Sequence, residues 1–306
     1  MGAHRPGRAD EIAFPLRRGI APPRSALRPP VSKFIRLSSP GTREAWDVPV
    51  LHEDAQLLAL DKPAGLLTSP DRYDPHRPDL MQLLHRDIAD GVPWAQQRQI
   101  TFLANVHGLD LETTGVLLLA KDKAAFEALA NQFSCGQTRQ TYVALVHGAP
   151  AEDQFKIGGR LAPHPERDGL VRVEEKFGKP ALTHCEVLER FSGYTLLKCL
   201  TETDRLHQIR VHLQNRGLPI VGDATYGGQQ LLLSRLKPRY LLKPGRTERP
   251  LVGTLALHAE QLQVIQAATG VPITFTAEWP NDLHVAIKYL RRYAPAVPTV
   301  AAPPAA

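Results

Sequence analysis

The apolar runs of this chain are short. The longest, such as Val116-Leu117-Leu118-Leu119-Ala120, are only strand-sized, far below the about 18 consecutive apolar residues that a membrane-spanning helix needs. Turn-forming residues separate them, so the core must be assembled from many short strands and a few helices. A length of 306 residues allows one large domain or two modest ones around such a core. With 43% hydrophobic and 22% charged residues, the composition is that of a globular protein. It excludes collagen, a coiled coil and a wholly disordered chain.

Reading along the chain, Gln56 to Asp61 forms a buried strand that stops at the turn Lys62-Pro63-Ala64-Gly65. Leu80, Leu83, Leu84 and Ile88 recur at helical spacing. Thr101 to Val106 and Gly115 to Lys121 read as strands flanking a polar loop. Asp122 caps a helix with the apolar face Phe126, Leu129, Ala130 and Phe133, which ends at Gly136. Further strands are expected from Thr141 to Val146 and from Phe155 to Leu161, and a hairpin joins Ala181 to Phe191 with Tyr194 to Thr201 through Ser192-Gly193. Leu206, Ile209 and Leu213 predict a helix from Arg205 to Asn215, closed by Gly217. Late strands are expected at 251–258 and 272–278. Hairpins segregated from few helices imply an α+β fold with a largely antiparallel or mixed sheet. The irregular alternation disfavours a doubly wound nucleotide fold.

Proline marks the ends: of 27, eight fall in residues 1–50 and four in residues 293–306. Residues 1–45 therefore read as a flexible Arg/Pro-rich arm, 46–292 as the folded domain, and 293–306 as a disordered Pro/Ala tail. The net charge of +6 is concentrated in the first 50 residues, where nine Arg and Lys face four Asp and Glu. A second basic cluster, Arg235, Lys237, Arg239, Lys243, Arg246 and Arg249, is opposed only by Glu248. Such clusters suit a polyanion, whose neutralised phosphates release counterions; a solvated loop would look the same.

Three cysteines (Cys135, Cys185 and Cys199) form no Cys-x-x-Cys, so neither a thiolate zinc site nor a redox pair is suggested. Their odd, sparse count fits a reducing compartment. The first residues lack the apolar core of a signal peptide, and Pro6, Pro15, Pro22 and Pro23 oppose the amphipathic helix of a transit peptide. A cytoplasmic protein is expected. Phosphate-loop, Gly-x-Gly-x-x-Gly, Gly-x-Ser-x-Gly and His-Glu-x-x-His motifs are all missing. Dehydrogenases, NTPases, α/β-hydrolases and zinc peptidases are thereby disfavoured. His107, His207 and His212 read as structural hydrogen-bonders rather than metal ligands.

Three segments are unusual for core structure. Val106 to Gly115 presents Asp110 in a polar loop between apolar strands; an ordinary turn and a carboxylate at the mouth of a sheet both explain it. Arg139 to Val146 places Tyr142 among apolar neighbours, as a core tyrosine or as part of a site. In Asp204 to Leu213, Arg210 shares a helical face with Leu206 and Leu213. An inward arginine needs a buried anionic partner, which a structural ion pair and an active site supply equally well.

Taken in order, these segments resemble the RluA-type pseudouridine synthase family. His107-Gly108-Leu109-Asp110-Leu111-Glu112-Thr113-Thr114-Gly115 is similar to its hallmark His-Arg-Leu-Asp, acidic residue, Thr, Ser/Thr, Gly. Leu60 to Leu66 resembles its Asn-Lys-Pro-Ala-Gly turn, and Arg139 to Gly148 its Lys-x-Tyr-x-Ala-Leu-Val-x-Gly. His207 to His212, Pro219 to Asp223 with Tyr226-Gly227, and Leu255 to Ala259 match the later motifs, and the likeness covers about residues 48–284.

The resemblance implies a pseudouridine synthase fold: a mixed, mostly antiparallel central sheet with flanking helices and a central cleft, occupying residues 46–292 as the catalytic domain. It implies an isomerase that converts uridine to pseudouridine in structured RNA, either ribosomal or transfer RNA. Asp110 would be the catalytic aspartate, Tyr142 the tyrosine beneath the target base, and Arg210 the partner of the aspartate. His107, Arg205, Arg235, Lys237, Arg239 and Lys243 are the expected RNA contacts. The reaction needs no metal, redox group or nucleotide cofactor, and a monomer away from membranes is expected. Gly108 stands where the family has arginine, and Asp204 and Leu206 stand where it has Gly and Thr. Loss of the Gly108 arginine leaves a second reading, a catalytically weak relative that only binds RNA. An acid–base hydrolase using Asp110 with Glu112 is disfavoured, because side chains two residues apart in a strand-like loop point apart.

Overall fold

The computed structural model describes residues 32–243 and 245–296. In chain order the elements are β1 (Phe34–Ser39), β2 (Glu44–Glu53), β3 (Leu57–Lys62), α1 (Leu80–Ala89), α2 (Pro93–Arg98), β4 (Ala104–Asn105), β5 (Thr114–Ala120), α3 (Lys123–Ser134), β6 (Arg139–His147), β7 (Gln154–Pro163), β8 (Val171–Val173), β9 (Lys179–Phe191), β10 (Tyr194–Thr201), α4 (Gln208–Asn215), a 3-10 turn (Ala224–Tyr226), α5 (Leu233–Leu236), β11 (Leu257–Ile265), β12 (Pro272–Thr276) and α6 (Asn281–Tyr293). The strands join one sheet in the order β1-β2-β3-β5-β11-β6-β10-β9-β7-β8, with β12 beside β11 and β4 beside β5. The described pairings are antiparallel except β5 with β11, so the fold is α+β with a mixed, mostly antiparallel sheet.

The unbroken apolar run of β5 follows from its place. It lies between β3 and β11 and is covered on both faces, so both side-chain rows are buried. Leu58, Leu60, Leu117 and Leu119 pack with α1 on one face, while Leu57, Ala59, Val116 and Leu118 pack with Ala125 and Leu129 of α3 on the other. A third core lies around β6, β10, α4 and α6. Asp79 and Asp122 cap α1 and α3 by accepting the backbone N–H of Gln82 and Ala125.

Gly115 marks the one parallel junction. Its φ is +112°, and a Cβ there would lie 2.2 Å from the Ala259 carbonyl oxygen. Only glycine lets β5 approach β11 so closely where the sheet changes direction.

Several expectations shift. Residues 34–45 were expected in the arm, but β1 and the start of β2 are part of the sheet. Ile35 and Leu37 alternate inward between exposed neighbours, and that two-residue period outweighs the nearby prolines. Residues 1–31 of the expected arm, and residues 297–306 of the tail, lie outside the described residues. The strand expected at 251–258 begins instead at Leu257: Val252 and Leu255 are buried by packing onto the third core, not by a ladder. From 101 to 106 only Ala104–Asn105 pairs. Among the described residues no helix is long and apolar enough to cross a membrane.

Candidate active site

Asp110 lies in the loop between β4 and β5, and that loop is pinned from several sides. The Thr68 hydroxyl donates to the Leu109 carbonyl at 3.0 Å and accepts the Leu109 N–H at 2.9 Å. Gly65 N–H donates to the Leu111 carbonyl at 2.9 Å. Lys62, with no solvent exposure, extends its ammonium to the carbonyls of Pro63, Leu66 and Leu111 at 2.8, 2.6 and 3.3 Å. Burial lowers the Lys62 pKa to about 7 against the opposing pull of Asp110 and Asp61. The turn after β3 and the Asp110 loop are thereby one unit, tied by groups that cannot be left unpaired without cost.

The Asp110 carboxylate meets two groups from the start of α4. Arg210 Nη1 donates to Oδ2 at 3.0 Å, and His207 Nε2 lies 3.8 Å from Oδ1. Arg210 is also held from behind: its Nε and Nη2 donate to the two oxygens of Asp223 at 2.8 and 2.9 Å. Its guanidinium lies 4.9 Å from the centre of the Tyr226 ring. Burial opposes the Arg210 charge, but the hydrogen bonds and charges of Asp223 and Asp110 outweigh it and raise its pKa. Arg210 is thus a fixed cation bridging two carboxylates.

His207 is oriented by the same cluster. The Tyr226 hydroxyl accepts the Val171 N–H at 3.0 Å and lies 2.8 Å from His207 Nδ1. The other ring nitrogen, Nε2, is thereby turned toward Asp110. Burial, against the pull of Asp110, lowers the His207 pKa and favours the neutral imidazole. The residue adopts φ of 54°, left-handed backbone at the head of α4, a strained conformation of the kind that collects at functional sites.

Tyr142, on β6, completes the pocket. It is 8% exposed and donates its hydroxyl to Gln140 Oε1 at 3.0 Å. Burial, then the charges of Asp204 and Asp110, raise its pKa well above the usual value, so the phenol stays protonated. The cavity, of ≈ 50 Å³, is lined by Gly108, Asp110, Thr113, Tyr142, Asp204 and Arg205 among others. Asp204 sits at the rim, open to solvent on one side; crowding by its neighbours and the Asp110 charge raise its carboxyl pKa, while Arg205 lowers it. A wider groove of ≈ 630 Å³ lies on the opposite face of the sheet, lined by Thr141, Lys156 and Lys198. Thr141 and Tyr142 are successive strand residues and point to opposite faces, so the groove does not open onto Asp110.

The structure therefore brings Asp110, Tyr142, Arg205 and Arg210 to one pocket. It does not bring His107 to that surface. His107 is 5% exposed, its Nε2 accepts the Leu118 N–H at 2.9 Å, and its ring stacks on Phe133 at 4.9 Å. Burial lowers its pKa to about 4. It is a neutral core residue at the root of the loop, and its expected role as an RNA contact is corrected. Arg235 bonds Gln229, which in turn pairs with His147 at the far end of β6, about 17 Å along the strand from Tyr142 at roughly 3.4 Å per residue. Lys237, Arg239 and Lys243 are exposed.

Asp223, Tyr226, Lys62 and Thr68 were not assigned roles from the sequence. The signals for Asp223 were its place in the family-like segment Pro219 to Asp223 and its position directly after the apolar run Pro219-Ile220-Val221-Gly222. Its side chain is 1% exposed, and such an acid needs a cation.

The pocket on this mixed sheet thus holds a carboxylate, Asp110, clamped by an arginine beside an aromatic side chain. A sequence model described as RNA pseudouridylate synthase matches residues 56–215. The chain is 37% identical over 252 residues to the ribosomal large subunit pseudouridine synthase D of Xanthomonas campestris, covering 80% of this chain and 70% of that protein. It is 34% identical over 257 residues to the protein of the same name from Pseudomonas aeruginosa, covering 80% and 72%. The solved human RNA pseudouridylate synthase domain containing 4 superposes with a TM-score of 0.59 at 23% identity, covering 79% of this chain and 92% of that one. The chain belongs to the RNA pseudouridylate synthase family. It is an isomerase that converts uridine to pseudouridine in RNA.

Proposed function

We propose that Asp110 acts at the ribose carbon of a uridine in large-subunit ribosomal RNA. In this reaction the N1–C1′ bond breaks, the base turns, C5 bonds to C1′, and the proton leaves C5 while N1 gains one. Asp110 serves C1′ as nucleophile or as countercharge to a ribosyl cation, and both roles need a fixed carboxylate. Arg210 supplies the orientation and Tyr142 a flat apolar face for the base. The observation that carries the reading is the 3.0 Å contact of Arg210 with Asp110 inside the pocket that Tyr142 lines.

The ribosomal substrate is supported by the names of the relatives at 34–37% identity. The target uridine must leave its stack, at a cost of a few kcal/mol. Phosphate contacts offset that cost, and the proposed sources are Arg205, the exposed Arg235, Lys237, Arg239 and Lys243, and the arginines of residues 1–31. The catalytic domain is proposed to start at β1. It works as a monomer; the redox-neutral, phosphate-free reaction supports the absence of a nucleotide cofactor, and the odd cysteine count supports a cytoplasmic place.

The test is tritium release from RNA labelled at uridine C5, with ribosomal and transfer RNA as separate substrates. Wild type is expected to release tritium from ribosomal RNA, and Asp110→Ala is expected to release none. Equal release by both proteins refutes the assignment of Asp110. Release from transfer RNA alone refutes the assigned substrate.

A further inference from the structure

Thr113 sits three residues after Asp110, and its backbone N–H closes the turn by donating to the Asp110 carbonyl at 3.2 Å. It is 2% exposed, and its Oγ1 has no hydrogen-bond partner among the described residues. The neighbouring hydroxyls differ. Thr114 Oγ1 pairs with His258 Nδ1 at 2.8 Å, and Thr68 Oγ1 is bonded in both directions to Leu109. Within this loop, then, one hydroxyl is left over, and it belongs to a residue that lines the pocket beside Asp110, Tyr142 and Leu257.

A buried hydroxyl without a partner destabilises a fold, and a valine of the same shape would avoid that cost. A threonine kept in such a place is explained by a partner that arrives later. Among the described residues, the space it lines is the pocket of Asp110 and Tyr142. We propose that Thr113 is a substrate-binding residue whose hydroxyl hydrogen-bonds a polar atom of the target uridine once the nucleotide fills the pocket. A hydroxyl both donates and accepts. It therefore matches the groups that a uridine presents, the base carbonyls, the N3–H and the ribose hydroxyl. The proposal rests on the reading of this pocket as the active site and adds one contact to it.

The experiment compares Thr113→Val and Thr113→Ser with wild type in steady-state tritium release and in thermal unfolding, with Asp110→Asn as reference. Removing the hydroxyl is expected to lower kcat/KM roughly tenfold, the effect of one lost hydrogen bond. Thr113→Ser, which keeps the hydroxyl, is expected to stay within about threefold of wild type, about 0.65 kcal/mol. The free Thr113→Val protein is expected to unfold at the same temperature as wild type or higher, because nothing in the free protein loses a partner. Wild-type kcat/KM in Thr113→Val overturns the inference. So does a lowered unfolding temperature in that variant, since it would show that the hydroxyl has a partner without substrate. If Asp110→Asn also retains full turnover, the active-site reading itself fails; if it is inactive while Thr113→Val is normal, only the Thr113 contact fails.

Discussion

Replacing Asp223 by alanine tests how the site is held together. Arg210 makes three charge-assisted bonds, two to Asp223 at 2.8 and 2.9 Å and one to Asp110 at 3.0 Å. The Asp223→Ala change removes the two that come from the side away from substrate. The Arg210 side chain is 11% exposed and that of Asp223 is 1% exposed, so water cannot replace them fully. Breaking a buried pair by removing one partner costs about 3–5 kcal/mol. Asp223 also accepts the Tyr226 N–H at 3.2 Å, which adds to the loss. The expected result is a drop of about 3–5 kcal/mol in unfolding free energy by denaturant titration, with tritium release falling at least tenfold through kcat. Asp110→Ala removes only one of the three bonds. It is expected to destabilise by no more than about 1.5–3 kcal/mol while abolishing turnover. The ordering is the point: the larger stability loss belongs to the residue that never meets substrate. If Asp223→Ala is within about 1 kcal/mol of wild type and turns over normally, Arg210 is not held from behind and the clamp described above is wrong.

Buried His107 and His212, each with a pKa lowered by burial to about 4, make the fold sensitive to acid. Above the ordinary histidine pKa of about 6.5 both states are neutral; below it the unfolded chain takes protons that the folded chain refuses until about pH 4, so stability falls as pH drops through that window. Denaturant midpoints between pH 7 and 4 should show the fall, and a flat profile would contradict it. Gly108→Arg should be tolerated, because φ there is ordinary and a Cβ would meet Thr68 no closer than 3.5 Å; the expected outcomes are stability within about 0.5 kcal/mol of wild type and a steeper salt dependence of RNA binding by about one ion. Gly115→Ala should cost about 3 kcal/mol or more, from the strained backbone and the clash with the Ala259 carbonyl, read as a lowered denaturant midpoint; an unchanged midpoint would mean that β5 and β11 are not joined as described.

Much of the fold was legible in local pattern. β3, β5, β6, β9, β10 and α3 fall where the apolar runs and caps put them, because period, capping and turn chemistry act over a few residues. β1 was hidden by its surroundings: its two-residue alternation is plain once isolated, but it lies in a stretch dominated by proline and arginine. The segment from 251 to 256 misled in the opposite sense. An apolar run records burial, and burial by packing on a helix reads the same as burial in a ladder.

The site divides in the same way. Asp110, Tyr142 and Arg210 were singled out in the sequence through the resemblance of their motifs, since a turn acid, a strand tyrosine and an inward arginine each have an ordinary structural explanation as well. What joined them was not local: Asp110 and Arg210 are 100 residues apart in sequence, and their contact exists only because the sheet carries the β4–β5 loop to the head of α4. The same closure decided that His107 faces inward, that Asp223 stands behind the arginine, and that Arg235 lies at the far end of β6. Short-range forces write periodicity into a chain residue by residue; which charges end as neighbours depends on how the sheet closes, and no window of sequence contains that.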